Sequence, residues 1–312
     1  ATTLKGTGLF AGHPNNIGYF GTLSTAEAYD VMGAADCVIV FGAWMHFFTT
    51  DKGELLKGKR VIQINNNASD IGTFYQPDAV LIADAGKTAE NILYWLDEAE
   101  VSPSGFSKEL PSHDISKYPK GDPKNSVDGF INFEYALDRL NETLPENRIM
   151  LTDGGRYITE VWCRVNVPDP NSFHMSDNFA AIGQGMQQAI GAAYGDPTRP
   201  VVLFTGDGGF MMGGLNEFNT AVRTNCNLIV IICNDSAYGA EHIQMLDRKM
   251  DPSLTEFNWP SFAEVAKSLG GEGVEVTSPK ELEVAIKAIH ARKGPIIVEL
   301  KLDSNNVPRM RL

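Results

Sequence analysis

The residues with the clearest chemical meaning lie in 201–239, VVLFTGDGGFMMGGLNEFNTAVRTNCNLIVIICNDSAYG. An apolar strand is predicted to end at Thr205 and to run into a glycine-rich turn, Gly206, Asp207, Gly208 and Gly209. A helix from about Gly213 to Arg223 follows, and a second apolar strand ends at Cys233, with Asn234 and Asp235 just past its tip. A βαβ unit is right-handed, and open α/β sheets bind ligands beyond the carboxyl ends of their strands. Asp207 and Asn234 are therefore expected at one sheet edge, on neighbouring strands ~4.8 Å apart. A carboxylate and an amide oxygen are the wrong donors for zinc. They suit a hard cation such as Mg²⁺, which completes its shell with phosphate and water. The glycines allow close backbone approach to a phosphate, and the amides at the next helix start add partial positive charge. A tight turn at GDGG and a cap at Asn234 would explain each feature singly. Their occurrence at two successive strand ends joined by one helix favours a site.

Competing motifs fail on spacing. A dinucleotide fingerprint starting at Gly206 needs glycine at 211, which is Met211, and a P-loop ending at Gly86-Lys87-Thr88 needs glycine at 81, which is Leu81. The chain has 26 Lys+Arg against 39 Asp+Glu, a formal net charge of −13. Such a surface repels nucleic acid, and an anionic ligand then needs local compensation. No uncharged apolar run approaches the ~20 residues of a membrane helix. The four cysteines, 37, 163, 226 and 233, have no CxxC spacing, which points to reduced thiols and a cytoplasmic protein.

The elements that must position this edge form two sets. Cys37–Phe41, Arg60–Ile64 and Val80–Ala83 read as strands in the first, and Ile149–Leu151, Val201–Phe204, Leu228–Ile232 and Ile296–Leu300 in the second. Runs that barely alternate suit parallel strands covered on both faces. Helical patterns lie at Thr88–Leu96, Phe133–Leu144, Ile182–Tyr194, Gly214–Val222, Phe262–Leu269 and Glu281–His290. The predicted fold is α/β, with doubly wound parallel sheets carrying helices on both faces. Two domains are expected, 1–100 and 126–312, joined by a proline-rich linker over 101–125. The first is too small to be complete. The start at Ala1, without Met or leader, suggests processing, proteolysis or a boundary inside a longer chain.

GDG at 206–208 followed by Asn-Asp at 234–235 resembles the fingerprint of thiamine diphosphate enzymes of the acetolactate synthase, pyruvate decarboxylase and benzoylformate decarboxylase superfamily. Asp235 stands where the second asparagine is commoner. The resemblance implies that Asp207, the Asn234 side chain and the Ser236 carbonyl hold Mg²⁺, which bridges the cofactor phosphates. FAAIGQGMQQAIGA at 179–192 resembles the family segment whose bulky residue bends the cofactor into a V; here that residue is Ile182, 25 positions before Asp207. The Ala180 carbonyl would accept from the 4′-amino group. DGGRY at 153–157 resembles the loop that touches the diphosphate, implicating Gly155, Arg156 and Tyr157. Gly206, Gly208, Gly209, Tyr238 and Gly239 complete the implied cofactor contacts. Arg156 would present a charged fork to a phosphate, or else stand solvated at a helix start. His174 and His242 flank the expected edge as substrate contacts or structural hydrogen-bonders. Glu241 is a pocket candidate, while Glu217 reads better as a salt bridge or cap.

The block 1–100 resembles the family's central domain, through Thr2–Gly8, His13-Pro14, Gly18–Gly21 and Val38–Gly42. It has no glycine-rich phosphate loop, so a structural role is expected and FAD is not. By resemblance the activity is decarboxylation and/or carboligation of a small 2-oxo acid, as a lyase or transferase. The activating glutamate is expected on a pyrimidine-binding domain, from an upstream half or another subunit of a homo-oligomer (dimer or tetramer). No catalytic residue is therefore assigned in this chain beyond the possible Glu241 and His242. The alternative is a non-catalytic cofactor-binding subunit or fragment. The Ser-Ala-Tyr-Gly-Ala-Glu-His run at 236–242 departs from typical acetolactate synthases and is closer to benzoylformate decarboxylase-like or sulfoacetaldehyde acetyltransferase-like branches.

Overall fold

Short apolar strands capped by turns assemble here into two separate parallel sheets. The computed structural model describes residues 1–111, 113–176, 179 and 181–306. The chain divides into two compact units between Tyr118 and Pro119. In the first, α1 (Ala26–Ala34) is capped by Thr25, whose side chain accepts from the Ala28 amide. Strands β1 (Cys37–Phe41), β2 (Arg60–Asn65) and β3 (Ala79–Ile82) pair in parallel in that order. Helix α2 (Ala85–Glu98) follows, capped by Asp84. Val40, Val61 and Ile64 are buried, while every residue of β3 is exposed.

The second unit opens with α3 (Phe133–Thr143), β4 (Ile149–Thr152), α4 (Ile158–Arg164), β5 (Phe173–Met175) and α5 (Gly185–Gly195). Next come β6 (Val201–Gly206), a first helical turn α6 (Asp207–Gly209), a π-helical stretch Phe210–Gly214 and α7 (Leu215–Arg223). Then follow β7 (Leu228–Asn234), α8 (Gly239–Asp247), α9 (Phe262–Ser268), β8 (Glu272–Val276), α10 (Pro279–Ala291) and β9 (Ile296–Lys301). The sheet is parallel, in the order β5-β4-β6-β7-β9-β8.

All seven residues of β7 are buried. At ~1.5–3 kcal/mol per fully buried large apolar side chain, this central strand anchors the sheet. Leu203, Val230, Ile232 and Ile297 meet Met186 of α5, Phe218 of α7 and Phe262 of α9. Side chains alternate along a strand, so Val202, Phe204, Ile229 and Ile231 point to the opposite face, and they too are buried. The α/β fold with parallel sheets is as the sequence implies, and the second sheet is covered on both faces.

Helix α3 starts at Asn132, whose Oδ1 accepts from the Tyr135 amide at 2.9 Å. Asn132→Ala removes that acceptor and is expected to cost about 1 kcal/mol. The check is a lower urea midpoint at unchanged slope.

Two elements differ from expectation at the site. The helix after β6 begins at Asp207, not Gly213: the Gly-rich segment is the first turn of a helix, and the π stretch carries it into α7. The helix expected from Ile182 begins only at Gly185, because Gly183 sits at φ +81°, outside helical space.

Candidate functional site

The chain passes from β4 to β5 on one side and returns through α5 to β6 on the other. The carboxyl ends of β4 and β6 therefore flank the point where strand order reverses, where α/β sheets open their ligand crevice. Three segments interlock there. The Gly183 amide donates to Asp153 Oδ2 at 2.8 Å, just beyond β4. A Cβ on Gly213 would stand 2.1 Å from the Gly183 carbonyl oxygen, so the π stretch requires glycine at that contact. Ile182 precedes α5, packs against Gly154 and remains 41% exposed. It is a presented apolar side chain and not a helix core residue.

Gly206 pairs with Cys233 across β6 and β7, so Asp207 and Asn234, one residue further along each chain, lie side by side at the carboxyl edge. Asp207 is 2% exposed. Burial, then the neighbouring Asp235 charge, pushes its carboxyl up to about 7, against the pull of the Gly208 amide and Trp259. Burial also raises Asp235 to about 6, opposed by Arg156. Two buried carboxylates that resist ionising together are a place where a cation is stabilising.

Asn234 Oδ1 accepts from the Ser236 amide at 2.9 Å. That contact holds Ser236 at φ +56°, a left-handed conformation that costs a non-glycine residue on the order of 1–3 kcal/mol. The Ser236 carbonyl accepts from the Phe257 amide at 2.9 Å. The donor set is one carboxylate, one amide oxygen and one carbonyl, and oxygens of these kinds suit a hard oxygen-seeking cation. Gly208 and Gly209 are buried at the helix start, and a Cβ on Gly208 would meet the Tyr238 ring at 2.6 Å. A Cβ on Gly239 would meet Asp235 Oδ2 at 2.6 Å. Their backbone lies where a side chain has no room.

Other expected residues sit elsewhere. The Tyr157 ring is buried under Gly155 and Gly206, and its hydroxyl lies 2.8 Å from the Asp153 carbonyl oxygen and 3.0 Å from that of Phe204. Arg156 is buried as well. Its Nη1 donates to the Ser304 carbonyl at 2.9 Å and lies 3.9 Å from Asp235 Oδ2, so it braces Asp235 where a phosphate fork was expected. Glu241 is exposed on the first turn of α8. His242 is buried, its Nδ1 3.2 Å from Thr255 Oγ1, while Nε2 has no hydrogen-bond partner among the described residues. His174 is exposed on the edge strand β5 and Glu217 is half-buried on α7. Ala180 lies outside the described residues.

Three residues at the site escaped the sequence reading. Asp153 ties the segment before α5 to β4, and burial raises its carboxyl despite the surrounding amides. Trp259 Nε1 donates to Asp207 Oδ2 at 2.8 Å, from a segment whose Phe257 stacks on Trp259 and edges Tyr238. Glu299 Oε1 accepts from Asn234 Nδ2 at 2.7 Å. A lone acid in the apolar run IIVEL was the available signal for Glu299, because unpaired charges are not buried.

The C-terminal TPP-binding domain of thiamine pyrophosphate enzymes matches residues 153–300, and the central domain of the same enzymes matches 1–92. Acetolactate synthase isozyme 1 large subunit of Escherichia coli is 23% identical over 298 residues, covering 94% of this chain and 51% of that protein. Acetolactate synthase of Bacillus subtilis is 26% identical over 253 residues, covering 80% and 44%. 3D-(3,5/4)-trihydroxycyclohexane-1,2-dione hydrolase of Halalkalibacterium halodurans is 22% identical over 323 residues, covering 94% and 50%. The chain thus spans about half the length of the curated relatives it matches. Asp207 and Asn234 meet at the sheet edge inside the matched TPP-binding domain, preceded by the matched central domain: the chain belongs to the thiamine diphosphate-dependent enzymes of the acetolactate synthase and pyruvate decarboxylase superfamily.

Proposed function

We propose that this chain supplies the diphosphate- and metal-binding half of a site that decarboxylates and/or ligates a small 2-oxo acid. Asp207, Asn234 and the Ser236 carbonyl hold Mg²⁺ in this reading. The observation that carries it is the buried Asp207 beside Asn234 across β6 and β7, an acidic group whose ionised form a cation would stabilise. When bound, thiamine diphosphate supplies a thiazolium C2 that stabilises carbanions. The residues of this chain bind, orient and exclude water. The amides at the helix start from Gly206 to Gly209 would meet the phosphate end. Ile182, half-exposed beside Gly154, would be the apolar side chain on which the cofactor rests. The proton-moving glutamate comes from a pyrimidine-binding domain upstream or on another subunit of a homo-oligomer.

Calorimetric titration with thiamine diphosphate, with and without Mg²⁺, tests the binding half of this reading. Tight binding only when Mg²⁺ is present is the expected result; equal heats without the metal count against it. Release of CO₂ from pyruvate, benzoylformate or glyoxylate by this chain separates an enzyme from a cofactor-holding module.

A further inference from the structure

Behind the expected metal ligands stand two side chains with fixed hydrogen-bonding character. Glu299, on β9, is fully buried. Its Oε1 accepts from Asn234 Nδ2 at 2.7 Å; its Oε2 accepts from the Ala263 amide at 3.1 Å and lies 3.3 Å from Ser261 Oγ. Lys301 Nζ is 3.6 Å from Oε1. An ionised carboxylate only accepts hydrogen bonds, and an asparagine amide donates from one end and accepts at the other. Glu299 therefore fixes the amide with Nδ2 inward and Oδ1 toward the Ser236 loop. Trp259 Nε1 is a donor only, so its 2.8 Å bond to Asp207 Oδ2 fixes the orientation of the second ligand in the same way.

Capping α9 through Ala263 and Ser261 is a structural task that Glu299 also performs. That task does not require a full charge in the centre of a parallel sheet, where burying an ion is costly unless it is compensated. We propose that Glu299 and Trp259 are positioning residues for a divalent cation, each setting which oxygen of its ligand side chain faces the metal. The inference rests on the metal site proposed above and extends it to residues that touch neither metal nor cofactor.

Mn²⁺ serves as the probe, its binding followed by electron paramagnetic resonance in the presence of thiamine diphosphate, with heat unfolding measured alongside. Glu299→Gln leaves one amide N–H pointing at a donor and is expected to weaken Mn²⁺ binding by about 10–100-fold. Adding Asn234→Asp to Glu299→Gln should restore most of that loss, because the new amide then donates to a carboxylate that has no wrong end. Trp259→Phe retains the ring stack on Phe257 and is expected to weaken Mn²⁺ by about tenfold. A Glu299→Gln protein that melts earlier yet binds Mn²⁺ unchanged overturns the inference and leaves Glu299 a helix cap. Unchanged affinity in Trp259→Phe overturns the assignment of Trp259. Failure of the unmodified chain to bind Mn²⁺ refutes the metal site itself, and this inference with it.

Discussion

Asp207→Ala is expected to remove the Mg²⁺-dependent component of thiamine diphosphate binding, with affinity falling by more than about 100-fold in a calorimetric titration. Residues that only orient a metal ligand are worth ~10–100-fold, and a direct anionic ligand exceeds that range. No neighbouring group can substitute for it. Asp235 is turned toward Arg156, 3.9 Å away, and Gly239 packs against its Oδ2. With a formal net charge of −13, the chain has little diffuse positive potential to hold a diphosphate once the cation is gone. Asp207→Asn separates charge from shape. The amide oxygen still accepts from Trp259, so the local fold is retained while the charge is lost. If Asp207→Ala binds as tightly as the parent, the metal lies somewhere else.

The metal-free chain is expected to lose stability as pH rises from about 4 to about 7. An aspartate in the unfolded chain releases its proton near 3.8, whereas folded Asp207 releases it near 7 and Asp235 near 6. Between those limits the folded state binds protons that the unfolded state has lost, so unfolding becomes easier with each increment of pH. The whole contribution is present below 3.8 and gone above about 7. For Asp207 alone it is on the order of 4 kcal/mol, with Asp235 titrating as its coupled partner. Asp153, raised by burial, acts in the same direction. Urea unfolding at pH 5 and pH 8 in a chelator reads this directly, with the higher midpoint at pH 5. Saturating Mg²⁺ should reverse the trend, since the cation binds the ionised carboxylate and releases its proton. Asp207→Asn should flatten the metal-free dependence. A metal-free chain more stable at pH 8 than at pH 5 would be incompatible with this buried pair.

Asp207 and Asn234 were legible as neighbours because the spacing of parallel strands is nearly invariant, and two apolar runs joined by one helix leave little choice of geometry. Helix α4 was not legible for the opposite reason. Its ITEVWCR sequence buries Glu160 and Arg164 together, their ion pair 2.9 Å apart, so no apolar stripe marks a face. Strand β8, EGVEV, alternates and lies at the sheet edge, while β5 is too short to show a pattern. The burial of Arg156 and Tyr157 was not legible, because a motif does not fix whether its side chains turn inward. Trp259 lies 52 positions beyond Asp207, and only tertiary structure brings the indole to the carboxylate.

The π-helical stretch between Asp207 and Leu215 acts as a phase adjuster. The first turn of this helix must aim its amides and Asp207 at the ligand edge, while Phe218, fully buried further along, must face the core. A regular helix offers a single phase for both demands. The wide turn absorbs one additional residue, so each end can keep its own register. Deleting one residue here would return the segment to regular pitch while leaving the helix downstream close to its present phase. What a shortened chain would lose is local, the wide turn that places Gly213 against the Gly183 carbonyl. Residue identity is therefore the tight constraint in this short stretch, because a Cβ on Gly213 would stand 2.1 Å from that carbonyl oxygen.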